Sequence, residues 1–327
     1  MPHLGLQRIM VPGAQVSTLT TGNITLTGAK TAFNLGAAYF AGGYADSPGN
    51  LNAIDKISFL GDVKSTLSAT LTSARYAPAG AANSAVAMYV AGGSNAFLDG
   101  IDKITFPADT KTTLSAVLTR GKDRMGGAAN SGTAAYFAGG RDGTDFDEID
   151  KIAFSADTKS TLAAVLTAVV QLNAAGAANS GTAAYFAGGY NGSYLSTIDK
   201  ITFSADTKST LSATLSPATA GVAGAANSGT AAYFAGGNQP TNISAIVKIA
   251  FSADTKTTLS ATLTVTKYAV TGASFNGTAA YFAGGYNTGL LGGIDKIAFA
   301  ADTKTTLSAT LTTPRFVMAG AANSGIL

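Results

Sequence analysis

The side chains in this sequence that could do chemistry are few, and the most suggestive ones recur. The chain has one histidine, His3, and no cysteine, so a general base would have to be a carboxylate or a lysine. An Asp-Lys dipeptide occurs five times, as Asp55-Lys56, Asp102-Lys103, Asp150-Lys151, Asp199-Lys200 and Asp295-Lys296. An active site is normally single, whereas a structural device recurs. We therefore interpret these residues as forming ion pairs at the edges of repeated units or between them, and we expect a protein that is not an enzyme.

One acidic stretch is a candidate cation site. It contains Asp142, Asp145, Asp147 and Glu148, whose oxygens could coordinate Ca²⁺. The stretch lacks the full ligand spacing of a known calcium loop. We therefore expect no structural metal and no cofactor, and keep these four residues as a weak calcium alternative.

The charge balance argues against a nucleic-acid partner. The net charge is only +3 over 327 residues. The one basic cluster, residues 120–124, also contains Asp123. We interpret this cluster as a solvated loop.

A short apolar segment is repeated at regular intervals along the chain. Five copies read Ala-Ala-Tyr-Phe-Ala-Gly-Gly without change, and the copy at 87–93 reads Ala-Met-Tyr-Val-Ala-Gly-Gly, with tyrosines at Tyr39, Tyr89, Tyr136, Tyr185, Tyr233 and Tyr281. The steps between these tyrosines are 47 to 50 residues. A fixed period of this length is typical of the blades of a β-propeller.

One repeat can be divided into four short strands. In the fourth copy an Ala-rich strand ends at the turn Asn179-Ser180-Gly181, and further strands are expected at 182–187, 198–203 and 210–215. Gly and Ala suit inner strands that converge on a channel, and the aromatic residues suit the space between blades. We predict an all-β fold, a six-bladed β-propeller of four-stranded blades over residues 28–327.

The two ends of the chain suggest how the ring closes. Residues 314–325 resemble the start of another repeat, but no second strand follows them. We predict that this C-terminal strand becomes the innermost strand of the first blade, with residues 28–34 as the alternative source. Residues 1–27 do not repeat and are predicted to be an N-terminal arm for attachment or oligomerisation.

The repeats resemble those of kelch proteins. In both, a second strand with an apolar run containing Tyr ends in Gly-Gly, and here the likeness covers about residues 28–327. The chain departs from the kelch pattern because it has no Trp, and Thr-Leu stands where kelch repeats carry their fourth-strand Trp. The resemblance implies a kelch-like propeller and carries no activity with it.

The repeats differ from one another mainly on one predicted face. That face consists of the loops between second and third strands and the connections between blades; we call it the varied face and the opposite one the constant face. Candidate ligand-binding residues in its loops are Tyr44, Asn95, Phe97, Arg141, Phe146, Tyr190, Asn191, Tyr194, Asn238, Gln239, Tyr286 and Asn287. The connections add Arg75, Tyr76, Arg124, Gln171, Lys267, Tyr268 and Phe316. Aromatic and amide side chains can stack on sugar rings or anchor a protein, and unconstrained loop drift is the competing interpretation.

Composition and analogy suggest a setting for this fold. Only 12% of the residues are charged, the repeats are nearly identical, and the N-terminus has no signal-peptide pattern. We expect a structural or adhesion protein of a virion, such as a bacteriophage tail fibre or capsid decoration, assembled in the host cytoplasm. Its expected partners are other virion proteins bound by the arm, a host glycan or neighbouring subunit, and a second copy of the chain.

Other functions remain open at this point. The first alternative is a protein-interaction module or lectin in the cytoplasm or on the surface of a bacterial cell. A glycan hydrolase or lyase is a third, disfavoured by the shortage of histidine. No apolar stretch reaches the roughly 18 residues of a membrane span, so membrane insertion is not expected.

Overall fold

The chain folds into a ring of six four-stranded antiparallel sheets, as predicted. The computed structural model describes residues 36–106, 108–169 and 175–323. The described part belongs to one compact unit and consists of strands and turns, with no helix that could cross a membrane. The predicted arm, residues 1–27, lies outside the described residues.

Each blade runs from an inner strand beside the axis to an outer edge strand. Blade 1 contains β1 (Ala37–Ala41), β2 (Ile54–Ser58), β3 (Lys64–Thr66) and, innermost, β26 (Ala319–Asn323). Blade 2 contains β4 (Ala79–Asn83), β5 (Ala87–Ala91), β6 (Ile101–Thr105) and β7 (Lys111–Thr113). Blade 3 contains β8 (Gly126–Asn130), β9 (Ala134–Ala138), β10 (Ile149–Ala153) and β11 (Thr158–Thr161).

The second half of the ring repeats this order. Blade 4 contains β12 (Ala175–Asn179), β13 (Ala183–Ala187), β14 (Ile198–Thr202) and β15 (Thr207–Thr210). Blade 5 contains β16 (Ala223–Asn227), β17 (Ala231–Ala235), β20 (Ile246–Ala250) and β21 (Thr255–Thr258), with a small ribbon of β18 (Asn238–Gln239) and β19 (Thr241–Asn242). Blade 6 contains β22 (Thr271–Phe275), β23 (Ala279–Ala283), β24 (Ile294–Ala298) and β25 (Thr303–Thr306).

The C-terminal strand closes the ring. Strand β26 pairs antiparallel with β1, from Ala37 opposite Asn323 to Ala41 opposite Ala319. This confirms the predicted closure and leaves no open sheet edge between the first and last blades. The alternative strand, residues 28–34, lies outside the described residues.

Six glycines explain why the inner strands can come so close together. They are the second residues of the inner strands: Gly80, Gly127, Gly176, Gly224, Gly272 and Gly320. A Cβ added to any of them would lie under 3.0 Å from a backbone atom of the glycine in the neighbouring blade. The inner strands therefore pack backbone against backbone around the axis, which only glycine permits.

Aromatic rings fill the space between blades, as the sequence predicted. The repeated tyrosine of each blade packs on a phenylalanine that follows the third strand of the next blade, as Tyr136 does on Phe203 with ring centroids 5.0 Å apart. The same contact closes the ring between Tyr281 and Phe59. Because each cluster of buried residues takes members from two adjacent blades, the core belongs to the interfaces and not to single sheets.

One strand prediction was wrong. The fourth strand of blade 4 was expected at residues 210–215 and is found at Thr207–Thr210. The turn before it ends early because Asp206 takes a left-handed conformation with φ of 51°. Leu211 and Leu215 pack between blades 4 and 5 without being part of the sheet.

The lysines of the Asp-Lys dipeptides make interblade ion pairs, but not with their neighbouring aspartates. Lys151 of blade 3 contacts Asp206 of blade 4 at 2.7 Å, and Tyr136 donates its phenolic hydrogen to the other oxygen of the same carboxylate at 2.9 Å. This Tyr-Lys-Asp arrangement occurs at all six blade boundaries, the last joining Tyr281 and Lys296 to Asp62. These six equivalent contacts join each blade to the next around the ring.

The aspartates of the dipeptides point the other way, into buried polar sites. Asp102 accepts hydrogen bonds from the Thr72 amide and hydroxyl and from Thr113. The buried guanidinium of Arg75 completes the site at 2.7 Å. Lys122 with Asp150, Lys267 with Asp295 and Arg315 with Asp55 repeat this buried pair at other boundaries. These charges thus anchor four of the connections to the following blade.

Candidate functional site

The constant face is repetitive because its turns bind one another. The Asn-Ser-Gly turns lie beside the channel mouth, where the Gly181 amide donates to Asn130 Oδ1 at 2.8 Å. The Ser131 amide donates to Ser180 Oγ at 3.1 Å. Equivalent bonds follow between further blades. The polar side chains of this face are therefore occupied in holding the ring together.

The connections on the varied face meet near the axis in an unusual backbone conformation. Five residues there have left-handed φ values of 49° to 64°: Ala77, Arg124, Gly221, Ala269 and Val317. Four of their amides donate to the carbonyl of a residue in a neighbouring connection, at 2.7 to 3.1 Å: those of Ala77, Arg124, Ala269 and Val317. For Val317 a left-handed φ is costly. These hydrogen bonds thus hold the residue that precedes each left-handed residue at a defined position beside the axis.

A cavity of about 450 Å³ lies over this backbone ring on the varied face. Ala269, Val317 and Gly221 contribute to its floor, and Val317 also lines the channel below. The other lining residues are Tyr76, Arg124, Tyr194, Ala220, Asn238, Tyr268 and Phe316. This volume falls within the range of small-ligand sites, which are typically about 300–1,000 Å³.

Aromatic rings form one wall of the cavity. Tyr268 and Phe316 have centroids 6.3 Å apart with planes at 77°. Tyr44 joins this wall through edge contacts to Tyr76 and Phe316, and Tyr286 contacts both Tyr268 and Phe316. Burial raises the pKa of Tyr268, so its hydroxyl keeps its proton at neutral pH. The rings hold one another in place before any ligand arrives.

Polar groups lie on the rest of the cavity wall. The Tyr194 hydroxyl donates to Asn238 Oδ1 at 2.5 Å, and the Asn238 amide nitrogen reaches Asn242 Oδ1 at 2.9 Å. Arg124 is partly exposed, with 23% of its side-chain surface accessible, and contacts Asp123 at 3.8 Å. That separation is too long for a hydrogen bond. The cavity therefore combines ring faces, an amide, a hydroxyl and one cationic group.

The structure brings together some of the predicted binding residues and separates the others. Tyr194 and Asn238 line the cavity, and Tyr44 and Tyr286 support its aromatic wall. The remaining candidates lie on the varied face outside the cavity lining: Asn95, Phe97, Arg141, Phe146, Tyr190, Asn191, Gln239 and Asn287. Among these, Phe146 is covered by the Arg120 guanidinium, 4.2 Å from its ring centroid, and Tyr190 packs edge-on against Tyr194.

The connections between blades supply most of the cavity lining, although the main candidate ligand-binding residues were predicted in the loops. Tyr76, Arg124, Tyr268 and Phe316 all line it. Three of them share one register position in their connections, one residue after Arg75, Lys267 and Arg315. That shared position was a signal available in the sequence. Gln171 lies outside the described residues.

Several charged candidates are not accessible to a ligand. Arg75 and Lys267 were expected on the binding surface, but each is 2% exposed and ion-paired with a buried aspartate. Lys122 was expected in a solvated loop and is fully buried between Glu148 and Asp150. Burial alone would raise the pKa of Asp150, but Lys122 and the Thr119 and Thr161 hydrogen bonds together hold it below its ordinary value.

The calcium alternative gains no support from the described residues. No group of three or more His, Cys, Asp or Glu side chains among them is arranged to hold a metal ion. Glu148 accepts hydrogen bonds from Arg120 and Lys122, and Asp142 accepts hydrogen bonds from Thr144 of its own loop. Asp145 and Asp147 join neither of them in a metal-binding cluster.

Comparison with known proteins adds no assignment to this geometry. No model of a protein family matches the chain, and no curated protein matches it. A propeller fold is compatible with many functions, so function has to be argued from the cavity and its surroundings.

Proposed function

We propose that this protein is a non-enzymatic recognition module whose varied face binds a glycan in the axial cavity. The observation that carries the proposal is the cavity itself, in which aromatic rings face a hydroxyl, an amide and a guanidinium. The C–H face of a pyranose packs on the electron-rich face of an aromatic ring, and its hydroxyl groups need donors and acceptors at the edge.

The rest of the molecule is consistent with a rigid support for this site. The recurring aspartates and lysines are bound to partners in neighbouring blades, and a single residue set that could serve as acid and nucleophile is not evident among the described residues. Loops held on a rigid scaffold are a common location for recognition. The support thus comes from a site that is formed in advance and from charges that are already used elsewhere.

A glycan array with the full chain tests this function. The matched variants are Tyr268→Ala, which removes a ring of the cavity wall, and Phe97→Ala, which removes an exposed ring of the same face outside the cavity lining. We expect glycan binding that Tyr268→Ala lowers at least tenfold and Phe97→Ala leaves nearly unchanged. An array without any bound glycan, or equal losses in both variants, would reject the axial cavity as a glycan site.

For the biological setting we propose a virion component, such as a bacteriophage tail fibre or capsid decoration. The low charge and the near-identical tandem repeats support this setting, with the arm as the attachment to other virion proteins and the cavity directed at the host surface. Co-purification of the full chain with assembled particles, compared with a chain lacking residues 1–27, tests it. Equal incorporation of both chains would remove the arm as the attachment.

A further inference from the structure

The axial cavity contains a cation whose nearest acidic partner does not fully satisfy it. The Arg124 Nε atom lies 3.8 Å from Asp123 Oδ2, whereas a charge-assisted hydrogen bond between guanidinium and carboxylate is about 2.7–2.9 Å long. The other charged connection residues differ from Arg124. Arg75, Lys122, Lys267 and Arg315 are buried and paired with an aspartate of the following blade at 2.7 to 3.2 Å.

Arg124 is placed differently because of its register in the connection. It is two residues beyond Lys122, which is the residue that fills the buried anchoring site of its blade. At that position Arg124 is one of the residues near the axis with a left-handed φ, and its amide donates a hydrogen bond to the Ala77 carbonyl at 2.9 Å. The other described residues with a left-handed φ at this position of a connection are small or apolar: Ala77, Gly221, Ala269 and Val317. Arg124 is therefore a single charge added to an otherwise neutral position.

The guanidinium shares the cavity with the aromatic wall. Arg124, Tyr268 and Phe316 line the same cavity, and burial raises the pKa of Tyr268 while the charge of Arg124 acts in the opposite direction with a smaller effect. A ligand stacked on the rings would thus have one edge within reach of a partly exposed cation. Because that cation lies in a half-enclosed site, an anionic group on the ligand would be screened less than at an open surface.

We infer that the cavity selects a sugar that carries a carboxylate, with its ring against Tyr268 and Phe316 and its carboxylate on the Arg124 guanidinium. This inference rests on the proposed glycan-binding function and names the class of glycan. A planar guanidinium matches a carboxylate through two parallel N–H···O bonds, which a neutral sugar cannot replace. The Tyr194 hydroxyl oxygen and Asn238 Oδ1, which are bonded to each other, can each still accept a hydrogen bond from a ring hydroxyl group.

Matched pairs of sugars test the carboxylate directly. Methyl β-D-glucuronoside and methyl β-D-glucoside differ only at C6, and the galacturonoside and galactoside form a second pair. Binding to the full chain can be followed by calorimetry or by tyrosine fluorescence, because the chain has 12 tyrosines and no tryptophan. We expect the acid of at least one pair to bind at least tenfold more tightly than its neutral partner, and the preference to weaken with added salt.

Two arginine variants separate the site from general charge. Arg124→Gln should lower the affinity for the acid to that for the neutral sugar. Arg120→Gln is the control, because Arg120 lies over Phe146 and pairs with Glu148 outside the cavity lining; it should keep the preference. Thermal melting of both variants confirms that they fold.

The outcomes separate this inference from the function on which it rests. Neutral and acidic sugars that bind equally, in a manner lost in Tyr268→Ala, would overturn the carboxylate selection and leave the glycan site standing. A preference that survives in Arg124→Gln would also overturn it. If no sugar of either pair binds, the inference is rejected, and the glycan array then decides on the proposed function by itself.

Discussion

The glycine at the second position of each inner strand offers the sharpest test of the ring. Gly80 of blade 2 faces Gly320, which belongs to the C-terminal strand β26 in blade 1. A Cβ on Gly80 would lie 2.5 Å from the Gly320 carbonyl oxygen and 2.9 Å from its amide nitrogen. Ordinary contact for such atoms begins at 3.4 Å, so Gly80→Ala must separate the two strands by close to 1 Å or distort one of them.

The cost follows from the rigidity of both partners. The clashing atoms are backbone atoms of a strand that pairs along its length with β1, so no rotamer change can relieve the contact. Overpacking of this kind costs about 1–3 kcal/mol, and a backbone obstacle places Gly80→Ala at the upper end. Replacing Gly by Ala also restricts the unfolded chain and returns about 0.4–1 kcal/mol. We expect a net loss of about 2 kcal/mol, or a Tm lower by about 3 °C.

Gly100→Ala is the matched control. A Cβ there meets no atom within 4 Å, and the residue does not have a left-handed φ. We expect its Tm to be unchanged or slightly raised. The measurement is thermal unfolding by circular dichroism at one scan rate for both variants. Equal Tm values for Gly80→Ala and Gly100→Ala would refute the close approach of the inner strands. They would also refute the position of the C-terminal strand as the innermost strand of blade 1.

Three further predictions follow from the buried polar groups. Asp102→Val should destabilise the protein by about 3–5 kcal/mol because it leaves the buried Arg75 charge unpaired, and adding Arg75→Thr should recover part of that loss in denaturant unfolding. Burial raises the pKa of Asp123 to about 6, so the folded state keeps a proton that the unfolded chain has released; stability should fall by about 2 kcal/mol between pH 4 and pH 6, and Asp123→Asn should flatten this slope. Burial and a hydrogen bond to an aspartate raise the pKa of Tyr185 and Tyr233 to about 12; ultraviolet titration should find such tyrosines protonated at pH 11, and stability should fall with pH above 10, because the folded state then holds the extra protons.

Blade 5 supplies the internal evidence for the first of these three predictions. It has Val247 where the other blades have the buried aspartate, and Thr219 where a connection can carry the anchoring cation. Both residues are buried. The two halves of the ion pair are thus absent together in blade 5, whereas blade 4 keeps Asp199 with Gln171 at the cation position and with Thr167 and Thr210 as donors to the carboxylate. A double variant of blade 2 copies an arrangement that this protein already contains.

The architecture was predictable because repetition multiplies a weak signal. A single Ala-Ala-Tyr-Phe-Ala-Gly-Gly segment would indicate only a buried strand, whereas six copies at nearly constant spacing indicate one unit repeated around an axis. The C-terminal strand was predictable for the same reason, since an inner strand without its second strand needs a partner at the other end. Local turn chemistry was less predictable: the left-handed Asp206 moved the fourth strand by three residues.

The partners of the charged side chains could not be predicted from the sequence. Neighbouring residues in a strand point to opposite faces of the sheet, so Asp150 and Lys151 cannot share a site even though they are adjacent. Each instead binds residues about 30 to 55 positions away, across a blade boundary. Those distances depend on the rotation between blades, which sequence spacing does not reveal. For the same reason the sequence could not reveal that Arg75 and Lys267 are buried.

The cavity residues differ from the charged anchors in one respect that bears on function. Where the six units agree, the structure gives a mechanical reason, such as the glycine contacts, the Tyr-Lys-Asp bridges and the Asn-Ser-Gly turns. At the position that carries Tyr76, Tyr268 and Phe316, the other described connections carry Asp123 and Ala220. All five follow an anchoring position and all precede the same left-handed backbone, so packing of the ring does not dictate the difference. The side chains that vary there are the ones that line the cavity, and for this reason we propose ligand recognition as the constraint on the three aromatic rings.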